Sequence, residues 1–181
     1  YANRGRYTGL LDLSNRGLLG NGTLDYLGAS IRSEDLVFRP QQATGTANAF
    51  DLPEVSGSGV ATPLVHADAV RINWLPYQDS LYITSDEFLV FKTGDFIFDG
   101  TLTLTPTGVK GRGFLDWEQA RVGADLLSFG ANSISADSFS IAIRSRGAAA
   151  ETALRMNNLR GHIDFDEGLG LFEGNDSLYV S

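Results

Sequence analysis

Apolar side chains recur along this chain at every second position. Leu102 and Leu104 alternate with Thr101, Thr103 and Thr105, and Phe139, Ile141 and Ile143 alternate with Ser138, Ser140 and Ala142. Val70, Ile72 and Trp74 alternate in the same way with Arg71 and Asn73. A period of two sends one row of side chains into a core and the other to solvent, the pattern of half-buried β-strands. Turn signals such as Gly20-Asn21-Gly22, Asp99-Gly100 and Pro106-Thr107-Gly108 interrupt at short spacing, so an all-β chain is expected. The one stretch of helical composition is Gly147–Met156. It aligns with Ser56–His66, where Gly and Pro forbid a helix, so it is expected to be loop or at most one turn.

The chain also repeats itself. Leu11 to Tyr26 reappears as Leu102 to Trp117 at an offset of 91, and the match continues through Ala29/Ala120, Ile31/Val122, Leu36/Leu127 and Phe38/Phe129. Ten of the 28 positions from 11 to 38 are identical, where unrelated sequences of average composition share about two. Ile72-Asn73-Trp74 matches Ile163-Asp164-Phe165, and Asp79–Ile83 then matches Asp176–Val180 at an offset of 97. Two tandem copies of a roughly 90-residue β-repeat follow, residues 1–85 and 86–181. The paired glycines, Gly17/Gly108 and the G-x-G residues, are expected in turns that need positive φ or close backbone approach. Leu24/Leu115 and Phe38/Phe129 are expected in the core.

A shorter motif recurs as well, an acid after a small residue and before alternating apolar ones: Ser33-Glu34-Asp35, Ser85-Asp86-Glu87, Ala124-Asp125 and Ala136-Asp137. Read as the starts of short strands, these motifs predict a β-solenoid (β-helix) of stacked rungs. A β-sandwich per copy and an open curved sheet are the alternatives. A stacked sheet without caps leaves its end strands unpaired, so the chain is expected to continue beyond Ser181 or to pair there with another molecule. Tyr1 in place of Met fits a processed or excised piece.

Charge and chemistry narrow the function. A net charge of -8 argues against nucleic acid and anionic membrane surfaces as partners. No apolar run is long enough for a transmembrane helix, and without cysteine there is neither disulfide nor thiolate chemistry. His66 and His162 occupy non-equivalent positions, and no G-x-S-x-G elbow accompanies them. Asp164 and Asp166, two apart on a strand, have a separation of about 7 Å that suits a glycosidase pair, but the first copy carries Asn73 and Leu75 there. Asp164-Phe165-Asp166-Glu167-Gly168 only loosely resembles a calcium loop and departs from the EF-hand spacing. Asn21-Gly22-Thr23 and Asn175-Asp176-Ser177 are glycosylation sequons by pattern. Tyr26/Trp117 and Trp74/Phe165 are read as core aromatics, with Tyr77, Tyr82 and Tyr179 open to sugar stacking. The expectation is a chain that is not an enzyme, with no catalytic, cofactor-binding or metal residue and no cofactor.

The repeat L-x-L-(S/T)-x-x-G-(L/V)-x-G-x-G-x-L-D-(Y/W) resembles the texture of long, repetitive all-β envelope proteins of Gram-negative bacteria. It is more weakly similar to AsmA/TamB-type lipid-transport proteins. The first resemblance implies a cell-envelope location, periplasmic or surface, and a non-catalytic structural or scaffolding role. Its partners would be proteins or further repeats at the solenoid ends. The second implies a lipid conduit with an apolar groove, and a carbohydrate-binding or carbohydrate-active β-helix is a further alternative.

Overall fold

The computed structural model describes residues 5–55, 61–91, 96–117, 119–144, 152–167, 169–174 and 179–180. Its strands are β1 (Gly5–Ser14), β2 (Gly17–Tyr26), β3 (Ala29–Arg39), β4 (Gln42–Ala47), β5 (Ala49–Leu52), β6 (Val65–Ala67), β7 (Val70–Leu75), β8 (Ser80–Val90), β9 (Phe96–Thr105), β10 (Gly108–Trp117), β11 (Ala120–Phe129), β12 (Ser133–Arg144), β13 (Thr152–Asp164), β14 (Leu169–Glu173) and β15 (Tyr179–Val180). Among the described residues the only helical element is a 3₁₀ turn, Pro76–Gln78, and no helix is long and apolar enough to cross a membrane. The all-β expectation holds. The Gly147–Met156 stretch was expected as loop, but its described part, from Thr152, is the start of β13.

The solenoid expectation does not hold, and neither does that of two equivalent stacked units. All pairing among the described residues is antiparallel, and β3, β4, β7, β8, β6 and β5 pair in a circuit that returns to β3, a closed six-stranded barrel. β2 and β1 extend from β3, and β9 to β14 extend from β8 in sequence order. A solenoid stacks its rungs by parallel pairing, whereas here every neighbour is reached through a reversal.

One three-strand meander nevertheless recurs at the 91-residue offset. β1, β2 and β3 share their starts with β9, β10 and β11, and Ile31↔Phe50 in the first half has the register of Val122↔Ile141 in the second. Gly17 and Gly108 follow two-residue hairpin loops with φ of 128° and 136°, backbone that suits glycine. The G-x-G residues are not in turns. Gly22 faces Gly9 and Gly113 faces Gly100 inside strands, and a Cβ on Gly113 would lie 2.1 Å from the Asp99 carbonyl oxygen. Leu24, Leu115 and Phe129 are buried, and Phe38 is partly buried against the core. The halves part after the meander. β4 and β5 are separate pieces along β3, and β6 and β7 are separate pieces along β8. In the second half β12 and β13 each run through.

The acid motifs explain the bending. None of them begins a strand; each lies inside one, at an irregularity of register. Glu34-Asp35 bulge out of β3 opposite Asn21, and Asp125-Leu126 bulge out of β11 opposite Arg112. The pairing also slips between Ser85 and Phe88 and between Ala136 and Phe139. A bulge places two residues opposite one, bends the strand and raises its twist. Polar side chains stand in for the interrupted ladder. Ser33 Oγ donates to the Thr46 carbonyl (2.6 Å), and Asp35 accepts from the Thr46 backbone N–H and hydroxyl (both 2.9 Å). Ser85 Oγ donates to the Ala69 carbonyl (2.9 Å) in the same way on β8.

Because the strands bend, the sheet curls. The Phe165 ring, just past β13, lies 4.3 Å from that of Phe96 on β9, although four strand spacings along a flat sheet span about 19 Å. Tyr26 on β2 and Trp74 on β7 meet at 5.8 Å across three spacings. The concave face holds one continuous core from Leu24 to Ile163, with Phe50, Phe88, Phe98 and Phe139 among its most deeply buried residues. Ser33→Ala is expected to lower unfolding free energy by about 1 kcal/mol, since the part-buried Thr46 carbonyl loses its donor. Glu34→Ala, exposed on the same bulge, should stay within about 0.5 kcal/mol. Urea denaturation of the two variants beside the parent measures both, and equal effects would contradict the role given to Ser33.

Candidate functional site

The curl of the second half leaves an apolar cleft of about 290 Å³. Phe96 from β9, Trp117 from the end of β10, Ala120 and Val122 from β11, Ile141 from β12, Ile163 and Phe165 from the β13 end, and Leu169, Gly170 and Phe172 on or beside β14 line it. Phe165 sits at the centre of an aromatic group, with ring centroids 4.6 Å from Phe91, 4.3 Å from Phe96 and 6.1 Å from Trp117. Asp164 is the charged residue of the lining. Its Oδ1 accepts the backbone N–H groups of Asp166 (2.9 Å) and Glu167 (3.1 Å), so this carboxylate is spent on the turn into β14.

The first half shows why the cleft exists. At the 91-residue offset Trp117 corresponds to Tyr26, Ile141 to Phe50 and Phe96 to Gly5, but the pairing of β13 with β12 (Ile134↔Ile163, as Ala43↔Trp74) puts Ile163 rather than Phe165 where Trp74 stands. β14 starts against β13 (Asp164↔Leu169) as β8 starts against β7 (Leu75↔Ser80), so Gly170 stands where Leu81 stands and Phe172 where Ile83 stands. In the first half Phe50 and Leu81 are fully buried and Tyr26 is 2% exposed, closed over by Trp74. In the second, Ile for Phe, Gly for Leu and Ile163 for Trp74 withdraw side-chain volume, Phe96 in place of Gly5 returns part of it, and Trp117 is 37% exposed at the mouth. The sequence match of Asp79–Ile83 with Asp176–Val180 hid this, because Tyr179 and Val180 pair with β13 where Leu89 and Val90 pair with β6. The Trp117 half of the expected core pair is therefore a cleft residue, while Tyr26 is core.

The other candidates do not assemble. Asp164 and Asp166 are parted by the turn, and Asp166 accepts from Asn132 Nδ2 (2.6 Å); they are not an acid pair across a cleft. Gly168 of the calcium-like run lies outside the described residues, and among those described no group of three His, Asp or Glu could hold a metal. Tyr77 is exposed on the 3₁₀ turn, Tyr82 is half-buried on β8, and neither lines the cleft. Asn21 of the first sequon faces Leu10 within the β1–β2 ladder; Asn175 of the second, like the Tyr179 side chain, lies outside the described residues.

His66, unremarkable in sequence, sits between two carboxylates. Its Nδ1 is 2.6 Å from Asp51 Oδ1 on the neighbouring β5 and its Nε2 is 3.1 Å from Asp68 Oδ1. The hydrogen bond to Asp51 above all, then that to Asp68, raises its pKa above the ordinary 6.5. With both nitrogens engaged by carboxylates, the ring has no free nitrogen for a serine hydroxyl. His162 lies apart on β13, opposite Ser135 and Leu171, in a shallow polar basin where Arg160 pairs with Asp137 at 3.4 Å. No family model, curated protein or solved structure matches the chain.

A raised folded-state pKa adds stability while the imidazole is charged. That contribution is complete below the unfolded value of 6.5 and is lost as pH rises through the folded one. Asp51→Asn should therefore lower the melting temperature at about pH 5.5 and do less at about pH 9. The acid-side effect should be about 0.5 kcal/mol, because the pair is solvent-screened. Thermal melts at the two pH values test the sign; a larger loss at the alkaline value would refute the pairing.

Proposed function

We propose that this domain cradles a single apolar ligand, an acyl chain or similar unbranched tail, in the cleft between β9 and β14. The observation that carries the reading is the cleft's composition: aromatic and aliphatic side chains on every strand from β9 to β14, with its one carboxylate already bonded to the turn. Ligand sites are concave and mostly apolar, and the volume is near the lower bound of about 300 Å³ for small-molecule pockets. A narrow tail fits such a space better than a fused-ring lipid. Exposed aromatic surface at the mouth gains most when an apolar chain replaces water against it. The buried aromatic clusters and the barrel also suit a purely structural part, but a structural part gives no reason for the second half to withdraw the side chains that close the first.

Trp117 provides the readout. The chain has two tryptophans, and Trp74→Phe leaves Trp117 as the sole emitter. Titration with a fatty acid below its micellar concentration should shift that emission to the blue and saturate. Ile141→Phe, which restores the first half's residue, should weaken binding at least tenfold while leaving the melting temperature equal or higher. An unchanged spectrum with fatty acid, or a saturable change with a neutral oligosaccharide instead, would overturn the lipid reading.

A further inference from the structure

The chain contains one internal junction between its two halves, and that junction is a template for a contact that the described residues do not themselves complete. β8 pairs with β9 along its length: Leu81↔Leu104, Ile83↔Leu102, Leu89↔Ile97 and Val90↔Phe96. β14 and β15 hold against β13 the places that the two ends of β8 hold against β7 and β6. β1 has the bounds of β9 less 91 residues. Among the described residues, the sheet ends at the outer edges of β1 and β14. The two half-sites of the β8–β9 junction thus recur at opposite ends of the molecule, each without its counterpart.

The side chains carry the same message. Leu102 and Leu104 are 0% and 2% exposed beneath β8, whereas their equivalents Leu11 and Leu13 are 48% and 88% exposed. Ile83 is fully buried, and Phe172 in the same place on β14 is 36% exposed. Edge strands of soluble proteins are ordinarily blunted by Lys, Pro or short length. β1 is ten residues long and β14 presents Leu169, Leu171 and Phe172. We propose that the β14–β15 edge of one copy of this chain pairs antiparallel with β1 of a second copy, in the β8–β9 register. Transposing that register sets Phe172 opposite Leu11 and the small Gly170 opposite Leu13, so the inner apolar row runs on across the contact without overpacking. The two patches differ, so the contact is heterologous and each copy keeps one edge for the next, giving head-to-tail strings or rings rather than twofold dimers.

The absence of cysteine makes the test direct. Leu11→Cys and Phe172→Cys are made separately, mixed in equal amounts and oxidised. Opposed positions across an antiparallel pair lie within disulfide reach. The expected product is the mixed 11–172 dimer, at least tenfold over the 11–11 and 172–172 species, and a chain carrying both cysteines should form a ladder of multimers. Sedimentation velocity of the unmodified chain should show concentration-dependent association that Leu11→Lys with Leu13→Lys abolishes; both positions are exposed, so the variant folds. Symmetric disulfides in equal or greater yield would overturn the proposal. So would a monomer at millimolar concentration, or association that survives the two lysines.

Discussion

The mid-strand bulge is the constraint on which the rest of this structure depends. Strands of ten to thirteen residues that stayed straight would give a flat sheet with one apolar face open to water. At Glu34-Asp35 and Asp125-Leu126, two residues face one across the ladder, and the strand turns there. The backbone groups that the bulge frees are satisfied by short side chains within reach, Ser33 and Asp35 for Thr46, and Ser85 for Ala69. A serine just before an acid is suited to this. The hydroxyl is small enough to be buried, as Ser33 is, and the carboxylate can lean outward and still accept a backbone N–H. The cross-sheet aromatic contacts of both halves are consequences of that bending.

Given the bend, side-chain volume decides what each half becomes. Tyr26, Phe50, Trp74 and Leu81 fill the first curl, and the pairing closes around it as a barrel. Trp117, Ile141, Ile163 and Gly170 stand in the same places in the second and leave a void that the Trp117 and Phe165 rings border but do not fill. An apolar void costs stability through lost dispersion contacts. A chain that can close one half with larger residues and does not close the other carries that cost where an apolar ligand would relieve it.

The strands, their inner rows and the recurrence of the β1–β3 meander were legible because alternation and glycine spacing are local properties. Leu24 and Leu115 were assigned to the core on that basis and are 1% exposed. The barrel was not legible. Period-two alternation is identical in a rung, a meander and a ring; what distinguishes them is which strands pair, and that depends on breaks at Asn48 and at Asp68-Ala69 that read as ordinary loop residues. The acid motifs misled for a related reason: a polar pair between apolar runs looks like a strand boundary, and a bulge is the one arrangement that keeps the strand going through it. The cleft was hidden one level deeper. Identity placed Leu178 under Leu81, whereas pairing places Gly170 there, so the loss of volume could be seen only once β14 had been set against β13.

The cleft and the open edge are not independent, because Phe172 belongs to both. On β14 it lines the cleft, edge-to-face with Phe139 at 5.7 Å, and in the transposed β8–β9 register it is the residue opposite Leu11 of a neighbouring copy. A strand added along β14 would extend the wall on that side of the cleft, as β9 extends the wall beyond Ile83 in the first half. The added strand brings Leu11 and Leu13 to the same inner row that Val122, Ile141 and Ile163 already occupy. A tail in the cleft and the neighbour's leucines would each cover a different part of the Phe172 ring. If the cleft is occupied and the edge paired as proposed, the two would be coupled through Phe172, because each would order the ring that the other packs against.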